Sequence, residues 1–564
     1  MTLSLARNPS ALADTEFDMV VVGGGICGAA VAWDAAQRGL SVALLERDDF
    51  GGATSAESLK VVHGGIRYLQ HLDIARVRES AHERSALLRI APHLVHPLPI
   101  VVPTYGHGLQ GGEFLAAGFA LLGLLTADRN RGIPDPARHI PGARLASRAQ
   151  TLEWFPQVEP ARLTGAGVFW DGQMFNPPRL VLAFLGSAMA AGAVAANYCE
   201  AVSLLRSGNR VAGVRARDLF GGETFDVRAR VVINAAGPYA QPFLERSGLG
   251  GRQRVSLSRD MAFVIDRVPA TASHGLALQT SHRDPDAVLS RGNRHIFLMP
   301  WRGRTLVGVH SAIWRESPDS LRVTEAEIAE FVTEIAQAAP HLELTRKDVT
   351  LVMAGLLPIG SGELVGEDVS FGKRPLVVDH ARTDGTQGLV SAVTNRYTVA
   401  RGVAQRAVDL GFRKLGRTPP QCRTATLSLP GGAVGDFAAL VREVAAAGAL
   451  DAAVAERVAH DHGSEYRSVL SLVQETPAWG VPLPGTQVLP ADVIHAVRHE
   501  MARRLGDVVF RRTGLGTLGH PGDAALEACA ALTASELGWT RAKTAAELDE
   551  VRTRFRGFGA APRD

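Results

Sequence analysis

A glycine-rich loop near the start of the chain, GxGxxG at residues 23–28, leaves few folds open to this sequence. A short apolar stretch at 17–22 precedes the loop, and residues that favour helices follow it. A second apolar stretch, 41–45, ends at Glu46. This order of strand, glycine loop, helix, strand and acid predicts a βαβ dinucleotide-binding unit, and therefore an α/β fold.

The loop residues have separate physical roles. Gly23 permits a tight turn after the strand, Gly25 lets the backbone approach a pyrophosphate, and Gly28 lets the helix pack closely on the strand. The amides at the start of the helix point at the phosphates with the positive end of the helix dipole. Glu46 is suited to the hydroxyl groups of a ribose, and it argues against the 2′-phosphate of NADP.

A second buried strand far along the chain favours FAD over NAD. Residues 229–234 read as this strand, and they end in the small residues 235–238, which let the backbone pass closely beneath a nucleotide. The strand lies about 200 residues after the first loop, as in flavoproteins whose substrate domain interrupts the nucleotide fold. The sequence therefore predicts a flavoprotein. An ordinary core strand followed by a glycine turn is the alternative.

The composition argues against several other classes of protein. The formal net charge of +3 comes from 60 basic and 57 acidic residues, so no basic surface for nucleic acid is expected. The four cysteines lie far apart, which predicts no metal site, no disulfide framework and a reducing, cytoplasmic location. Residues 1–16 make a poor signal peptide, because they contain a single basic residue and no sustained apolar stretch.

The longest apolar run of the sequence covers residues 114–127. A helix that spans a bilayer needs about 20 such residues, so we do not expect this segment to span one. A buried helix is the first interpretation. The alternative is a helix at the membrane surface, which would make the protein peripheral on the inner face of the membrane.

Beyond the nucleotide loop, the sequence closely resembles the FAD-dependent glycerol-3-phosphate dehydrogenases. The resemblance covers most of the chain. It is carried by residues 53–69, 83–84, 90–94, 171–180, 234–238 and 299–301, and near the C-terminus by Glu500, Asp507, 511–515 and 537–539.

The resemblance and the chain pattern together predict an FAD-binding Rossmann-like domain, an antiparallel-sheet substrate domain and a C-terminal all-helical cap. The first two domains are interleaved in sequence over residues 1–413. The cap, residues 414–564, is rich in Ala, Leu, Glu and Arg at helical spacing. The expected bounds are about 1–105, 181–252 and 352–413 for the FAD domain, and about 106–180 and 253–351 for the substrate domain, with strands at 261–265, 295–299 and 305–309.

The resemblance also implies that residues 54–69 wind beside the flavin. Ser55 and Ser58 are then expected against the cofactor, His63 near the isoalloxazine ring, and Arg67 with Tyr68 toward the substrate. The paired glycines of this segment suit a close approach of backbone to a planar ring. The residues expected to contact FAD are Gly23, Gly25, Ile26, Cys27, Gly28, Glu46, Arg47, Thr54, Ser55, Ser58, Lys60, His63, Gly64, Gly65, Ala235, Gly237, Arg396, Tyr397 and Thr398.

The substrate half of the sequence departs from the family. The family's Gly-Ser-His is Arg-Asp-Met at 259–261, and its Gly-Thr-Thr-Asp is Gly-Val-His-Ser at 308–311. Its Ala-Gly-Val-Arg-Pro-Leu stretch grips the phosphate with the arginine, where this chain has Leu357. Charge-assisted contacts are worth about 1.5–3 kcal/mol each, so losing a bidentate pair weakens phosphate binding on the order of a hundredfold or more. Arg396 and Arg401 remain as cations for a differently shaped anion site.

The expected chemistry is oxidation of an alcohol, in which the flavin takes the carbinol hydrogen and a general base removes the hydroxyl proton. Histidine has an ordinary pKa of about 6.5, which suits this proton transfer, and His63 and His310 are both candidates. His310 is new relative to the family. Arg67 and Arg396 stay charged and are expected to orient the substrate. The residues expected at the substrate are Arg67, Tyr68, His310, Leu357 and Arg396.

These observations predict an FAD-dependent dehydrogenase that oxidises a small polyol-type metabolite other than glycerol-3-phosphate. An FAD oxidase that uses oxygen on another substrate, such as an amine or a biosynthetic intermediate, is the alternative. A non-catalytic flavin-binding protein is a third interpretation. The resemblance favours a quinone as electron acceptor, and it leaves a homodimer open.

Overall fold

A computed structural model of the protein describes residues 5–71, 73–108, 111–250, 256–266, 273–283, 293–359 and 376–557. Within these ranges only the backbone is described for Arg67, Gln70, His71, 281–283 and 293–294. Strands and helices are numbered along the chain.

The first sheet contains the predicted nucleotide-binding unit. Its strands follow the order β16-β17-β10-β1-β2-β7, and a hairpin of β8 and β9 extends from β10. The bounds are β1 (Glu16–Val22), β2 (Val42–Leu45), β7 (Val194–Ala196), β8 (Cys199–Ser207), β9 (Arg210–Asp218), β10 (Thr224–Asn234), β16 (Leu376–Asp379) and β17 (Leu389–Val393).

Strand β1 lies between β2 and β10 and is parallel to both, with Met19 opposite Val42 on one side and Val231 on the other. Parallel strands covered on both faces are continuously apolar, as β2 and residues 19–22 of β1 are. On one face lie α2 (Ile26–Gln37), α6 (Pro177–Ala190) and α10 (Ala400–Lys414). The β8–β9 hairpin and α7 (Ala240–Arg246) cover the other face. The predicted βαβ unit and return strand are therefore confirmed.

The second sheet is antiparallel except where β12 runs parallel to β4. Its order is β15-β11-β14-β13-β12-β4-β6-β3, and β5 pairs with β6. The bounds are β3 (Val61–Val62), β4 (Val95–Tyr105), β5 (Arg144–Ser147), β6 (Leu163–Met174), β11 (Ser256–Ile265), β12 (Gly275–Arg283), β13 (Asn293–Trp301), β14 (Arg304–Trp314) and β15 (Val349–Ile359).

Helix α8 (Glu325–Ala338) covers the outer face of the second sheet. Met261 and Phe263 of β11 pack toward this helix, and Ala262 and Val264 point to the opposite, inner face. The three strands predicted in this region are confirmed, each longer than expected. Strands β4 and β15, which the predicted bounds assign to the FAD domain, belong to the second sheet, because they pair with β6 and β11.

The C-terminal region is helical, as predicted. Two apolar cores hold it together, one around Val444 and Ile494 and one around Val508 and Leu526. A turn of π-helix at Asp507–Arg512 belongs to the second core, and helix α14 (Pro490–His499) contributes to both. Its helices are α11 (Phe437–Gly448), α12 (Ala452–His462), α13 (Arg467–Glu475), α14 (Pro490–His499), α15 (Asp523–Leu537) and α16 (Arg541–Arg556); the remaining short and connecting helices are α1 (Ser10–Ala13), α3 (Ile74–Ile90), α4 (Gly112–Leu125), α5 (Arg148–Trp154) and α9 (His380–Thr383).

The apolar run of the sequence forms α4, but the expectation of a buried helix is wrong. Phe119 is the one residue of α4 that is buried, whereas Leu124 is 76% exposed and Leu121 is 40% exposed. Helix α4 packs on β5 and β6 at the edge of the molecule, so its outer side has no covering layer among the described residues. Among the described helices, none combines the length and the apolar character needed to cross a bilayer.

Candidate active site

A cavity of about 330 Å³ lies where the two sheets meet. On one side are the carboxyl ends of β1, β2, β10 and β17, and on the other is the inner face of β11, β14 and β15. Ligands of open α/β sheets bind outside the carboxyl ends of the strands. Of the residues expected at FAD, those that line the cavity are Gly23, Gly25, Ile26, Cys27, Glu46, Arg47, Thr54, Ser55, Ser58, His63, Ala235, Gly237, Arg396, Tyr397 and Thr398.

The glycine loop forms a cradle that side chains would fill. A Cβ on Gly28 would lie 1.9 Å from the carbonyl oxygen of Gly23, and one on Gly23, where φ is +101°, would lie 2.8 Å from the carbonyl oxygen of Ala235. A Cβ on Gly25 would come within 3.0 Å of the hydroxyl of Ser55. The loop therefore keeps helix α2, β1 and β10 close and leaves its backbone open to the cavity, which fits a pyrophosphate.

Glu46 lies at the end of β2, as a ribose-binding acid should. Its carboxylate accepts hydrogen bonds from the backbone N–H groups of Gly24 (2.6 Å) and Asp48 (2.8 Å). Burial raises the pKa of Glu46 to about 7, with a further contribution from the negative charge of Asp48. Beside it, the guanidinium of Arg47 lies 4.3 Å from the ring centre of Tyr239.

Residues 54–63 cross the cavity between the two sheets. Thr54 donates its hydroxyl to the carbonyl oxygen of Leu356 in β15, at 2.8 Å. Further along, the N–H of His63 donates to the hydroxyl of Thr398, at 3.0 Å. These bonds connect the segment to the second sheet at one end and to the turn before α10 at the other. The same turn is fixed by the Tyr397 hydroxyl, which donates to the carbonyl oxygen of Pro177 at 2.9 Å.

His63 forms a pair with Asp171 of β6. Its Nδ1 lies 3.1 Å from a carboxylate oxygen of Asp171, and the side chain of His63 is 51% exposed, on the cavity. Asp171 is buried, and it also accepts the N–H of Gly64 (2.6 Å) and the guanidinium of Arg84 (3.2 Å). Burial by itself raises the pKa of Asp171, but these hydrogen bonds and charges lower it overall. Asp171 was in the family-like stretch, but the sequence did not indicate its partner.

The paired glycines serve a different purpose from the one expected. A Cβ on Gly64 would lie 2.0 Å from the guanidinium of Arg84, and one on Gly65, where φ is +89°, would lie 3.0 Å from Ser80. Both residues face helix α3, so they make room for that helix. Neither lines the cavity, and the expectation that both lie at the flavin ring is corrected.

Lys60 is also turned away from the cavity. Its side chain is buried, the ammonium donates to the carbonyl oxygen of Ala56 at 2.7 Å, and it lies 5.4 Å from the ring centre of Trp301. Burial lowers the pKa of Lys60 to about 8. Lys60 does not line the cavity, so the expected contact between Lys60 and FAD is corrected. The backbone turns at this residue, where φ is +61°.

His310 does not face the cavity. Its ring lies 5.4 Å from that of Phe331, and its Nδ1 lies 3.7 Å from the carboxylate of Glu334, both in α8. Simple alternation from Gly308 would put His310 on the inner face. A bulge opposite Met261 shifts the register, so that Val309 lines the cavity instead. The expectation that His310 acts on the substrate is corrected for this reason.

The substrate end of the cavity contains one apolar and two charged side chains that matter for binding. Leu357 lines it from β15, Asp260 from β11, and Arg396 from the turn before α10. Arg396 donates to Glu79 (2.9 Å) and Ser80 (3.0 Å), so part of its charge is already neutralised. The sequence did not single out Asp260, although its position in a departing motif was a signal.

The other residues expected near the substrate lie elsewhere or outside the described part. The ring of Tyr68 is outside the cavity lining, with the guanidinium of Arg396 5.3 Å from its centre. Arg401 is buried against Glu83, with Nε 2.8 Å from the carboxylate, and does not reach the cavity. The side chain of Arg67 lies outside the described residues, so its predicted role stays a prediction.

A cluster of three buried polar side chains lies in the helical region, away from the cavity. His462, His495 and Glu500 bring their nitrogen and oxygen atoms within 4.8 Å of one another. The guanidinium of Arg179 already lies among them, 2.8 Å from Glu500 and 3.2 Å from His462. A positive charge thus occupies the place that a metal ion would need.

Two family models match the chain. The FAD-dependent oxidoreductase model matches residues 18–410, and the model for the C-terminal domain of alpha-glycerophosphate oxidase matches residues 422–544. The two matches divide the chain close to the predicted start of the helical cap.

Similar proteins extend over almost the whole chain. A glycerol-3-phosphate dehydrogenase of Synechocystis sp. is 30% identical over 95% of this chain and 95% of its own length. The mitochondrial glycerol-3-phosphate dehydrogenase of Homo sapiens is 31% identical over 95% of this chain and 73% of its own length. The crystal structure of the glycerol-3-phosphate dehydrogenase from Bacillus halodurans complexed with FAD has a TM-score of 0.76 and 25% identity, and it covers 98% of this chain and 97% of that one.

We expect the pKa of Glu46 to make FAD affinity depend on pH. At pH 6 most Glu46 is protonated, and because the carboxylate is the stronger acceptor for ribose hydroxyls, binding must first remove that proton. We expect the Kd for FAD to fall as the pH rises through about 7, and then to level off. Titration of the FAD-free protein with FAD, followed by flavin fluorescence at pH 6, 7 and 8, measures this Kd. Glu46→Gln should bind FAD more weakly and without this pH dependence, and an equally steep profile in that variant would contradict the assignment.

Proposed function

Since the chain belongs to the family of FAD-dependent glycerol-3-phosphate dehydrogenases, we propose that it oxidises a hydroxyl group of a small, unphosphorylated polyol-type substrate. It is an FAD-dependent oxidoreductase, and its substrate is a small molecule. We propose the chemical class of that substrate and the identity of the electron acceptor. The observation that carries the proposal is the apolar side chain of Leu357 on the cavity wall.

The cradle described above fits FAD. The loop at 23–28 would hold the pyrophosphate, Glu46 the ribose, and the segments around Ser55 and Thr398 the flavin half. Bound there, FAD supplies the two-electron acceptor for the carbinol hydrogen of the substrate. The protein's own groups bind and orient the substrate and take its hydroxyl proton.

We propose His63 as the group that takes the proton. Asp171 accepts a hydrogen bond from Nδ1–H of His63, which holds the imidazole in one tautomer and leaves Nε2 as a base. The negative charge of Asp171 also stabilises the imidazolium that forms. Because His63 is half exposed on the cavity, its ring is accessible to a substrate there, whereas the buried Asp171 is not.

The charges around Leu357 support an unphosphorylated substrate. A phosphate at this place would meet a hydrocarbon side chain, and it would lie in the same cavity as the carboxylate of Asp260. The guanidinium of Arg396 is already paired with Glu79, so it would bind an anion more weakly than an unpaired guanidinium does. A substrate hydroxyl, by contrast, can donate to Asp260 without such a penalty.

A second candidate is an oxidase that reduces oxygen. Its support is the match of residues 422–544 to the C-terminal domain model of alpha-glycerophosphate oxidase. An amine is the alternative substrate, since Asp260 would attract an ammonium group. Oxygen consumption with peroxide release separates the oxidase from a dehydrogenase that uses a quinone.

The exposed face of α4 supports a quinone as the acceptor. Leu121 and Leu124 are exposed on α4, and α3 and β5, which α4 contacts, carry the exposed residues Ile74 (47%) and Leu145 (45%). Helix α4 also contacts the turn Ile66–His71, which continues the segment that passes the cavity. A quinone dissolved in a bilayer would therefore meet the protein close to this segment. The arginines Arg131, Arg144 and Arg148, which follow α4 along the chain, are exposed and suit an anionic lipid surface.

Replacing the base tests the mechanism. We expect His63→Ala to lower the rate of flavin reduction in anaerobic stopped-flow experiments by roughly 10²–10⁴, the usual range for a general base. His310→Ala is the matched control and should leave the rate unchanged, because His310 faces α8. An unchanged rate in His63→Ala would remove this residue from the mechanism.

Leu357 gives a direct test of the substrate. The parent protein should reduce its flavin with unphosphorylated polyols and use glycerol-3-phosphate poorly. Leu357→Arg should raise kcat/KM for glycerol-3-phosphate by about tenfold or more, since it adds a charge-assisted contact. Leu357→Met keeps the wall apolar and should behave like the parent. Efficient turnover of glycerol-3-phosphate by the parent, with a micromolar KM, would overturn the proposal.

Binding to vesicles tests the membrane surface. Leu121→Glu with Leu124→Glu should weaken flotation with phosphatidylglycerol vesicles by about tenfold or more, because buried apolar area supplies most of the affinity. Val481, which is 66% exposed in the helical region, provides the control Val481→Glu, and this change should have no effect. If the parent does not float, or if both variants lose binding equally, α4 is not the contact.

A further inference from the structure

We propose that the helical C-terminal region holds the adenosine side of the FAD site closed, through a contact of Arg511 and Arg512 with Asp49. These three are positioning residues, because they act through the loop that carries Glu46. The proposal goes beyond the proposed reaction, since it concerns the retention of the cofactor.

The loop after β2 forms the wall of the cavity nearest to the ribose-binding acid. Glu46, Asp48 and Asp49 all line the cavity. The loop is connected to the glycine loop by two bonds, because the N–H of Gly24 donates to Glu46 and the N–H of Gly51 donates to the carbonyl oxygen of Gly24 (3.0 Å). A shift of this loop would therefore move both the ribose site and the pyrophosphate cradle.

The Asp49 carboxylate is completely buried and receives hydrogen bonds on both oxygens. Arg512 donates to it in a bidentate manner, at 2.7 and 2.8 Å, and Arg511 donates with Nε at 2.5 Å. Asn197 supplies a further donor at 2.9 Å. Burial by itself raises the pKa of Asp49, but the two guanidinium groups outweigh it and hold the pKa at about 2.

The two arginines are in turn fixed within the helical region. Arg512 donates to the carbonyl oxygen of Glu500 at 3.0 and 2.9 Å, and its side chain is fully buried. Arg511 also donates to Asp507, at 2.5 Å, and the Tyr198 hydroxyl donates to the same carboxylate at 2.6 Å. The contact is therefore rigid on both sides, and it joins the helical region to the cavity wall.

Removing only one partner of such a buried ion contact costs a large amount of free energy. Removing the charge of Asp49 would leave the fully buried guanidinium of Arg512 without a carboxylate partner, and the loop would have to move to let water reach it. Arg511 would keep its contact with Asp507. The helical region thus contributes to FAD retention although Arg511 and Arg512 do not line the cavity.

The test follows the release of FAD from the full-length holoenzyme, as the rise of flavin fluorescence after dilution. Asp49→Asn should release FAD about tenfold faster or more. Arg511→Gln, at a site that is 20% exposed, should have a smaller effect in the same direction. Arg511→Gln decides the matter if Asp49→Asn does not fold. Unchanged release in the folded variants would overturn the proposal.

A control separates this effect from a general loss of stability. Asp135 is buried and accepts the N–H of Phe437 at the start of α11, so it joins the helical region to the segment between α4 and β5, away from the cavity. Asp135→Asn should lower the melting temperature without speeding FAD release. ADP, which would occupy only the adenosine side, should bind to FAD-free Arg511→Gln with a higher Kd than to the FAD-free parent. Faster release in Asp135→Asn, or an equal Kd for ADP in the two proteins, would contradict the proposed role.

Discussion

The close approach of helix α2 to strand β1 sets the geometry on which the site depends. Only hydrogen fits between Gly28 and the carbonyl oxygen of Gly23, because a Cβ would lie 1.9 Å from that oxygen. With the helix at this distance, its first amides reach the cavity at the end of β1, and β10 closes in from the other side at Ala235. The proposed pyrophosphate cradle is thus a result of packing rather than of any polar side chain.

The second sheet completes a site that the nucleotide unit cannot form alone. His63 comes from the segment between the sheets, and its partner Asp171 comes from β6. Leu357 and Asp260 reach the cavity from adjacent strands of that sheet. The proposed base and the proposed substrate wall therefore belong to different elements, so one can change while the other stays. Such a division lets one redox cofactor serve different substrates within a family.

The helical region is tied to the rest of the molecule by buried charges. Asp49, Arg511 and Arg512 form one such contact, and Arg179 with Glu500 forms another. Buried ion pairs add little net stability when they are intact, but a broken pair leaves an uncompensated charge in the interior. These buried contacts tie the helical region to the FAD domain. Because Asp49 lines the cavity, one of them reaches the cavity wall.

The sequence alone determined the nucleotide unit and the cofactor, because Gly23 to Gly28 and Glu46 are local and each is needed for a stated physical reason. Tertiary structure decided what depends on distant neighbours. A bulge turned His310 to α8, and helix α3 explained the paired glycines that suggested a flavin contact. The apolar run at 114–127 predicted a helix but not its exposure. A local sequence pattern indicates the secondary structure of one segment. The direction in which a side chain points depends instead on register and on the elements that pack beside it.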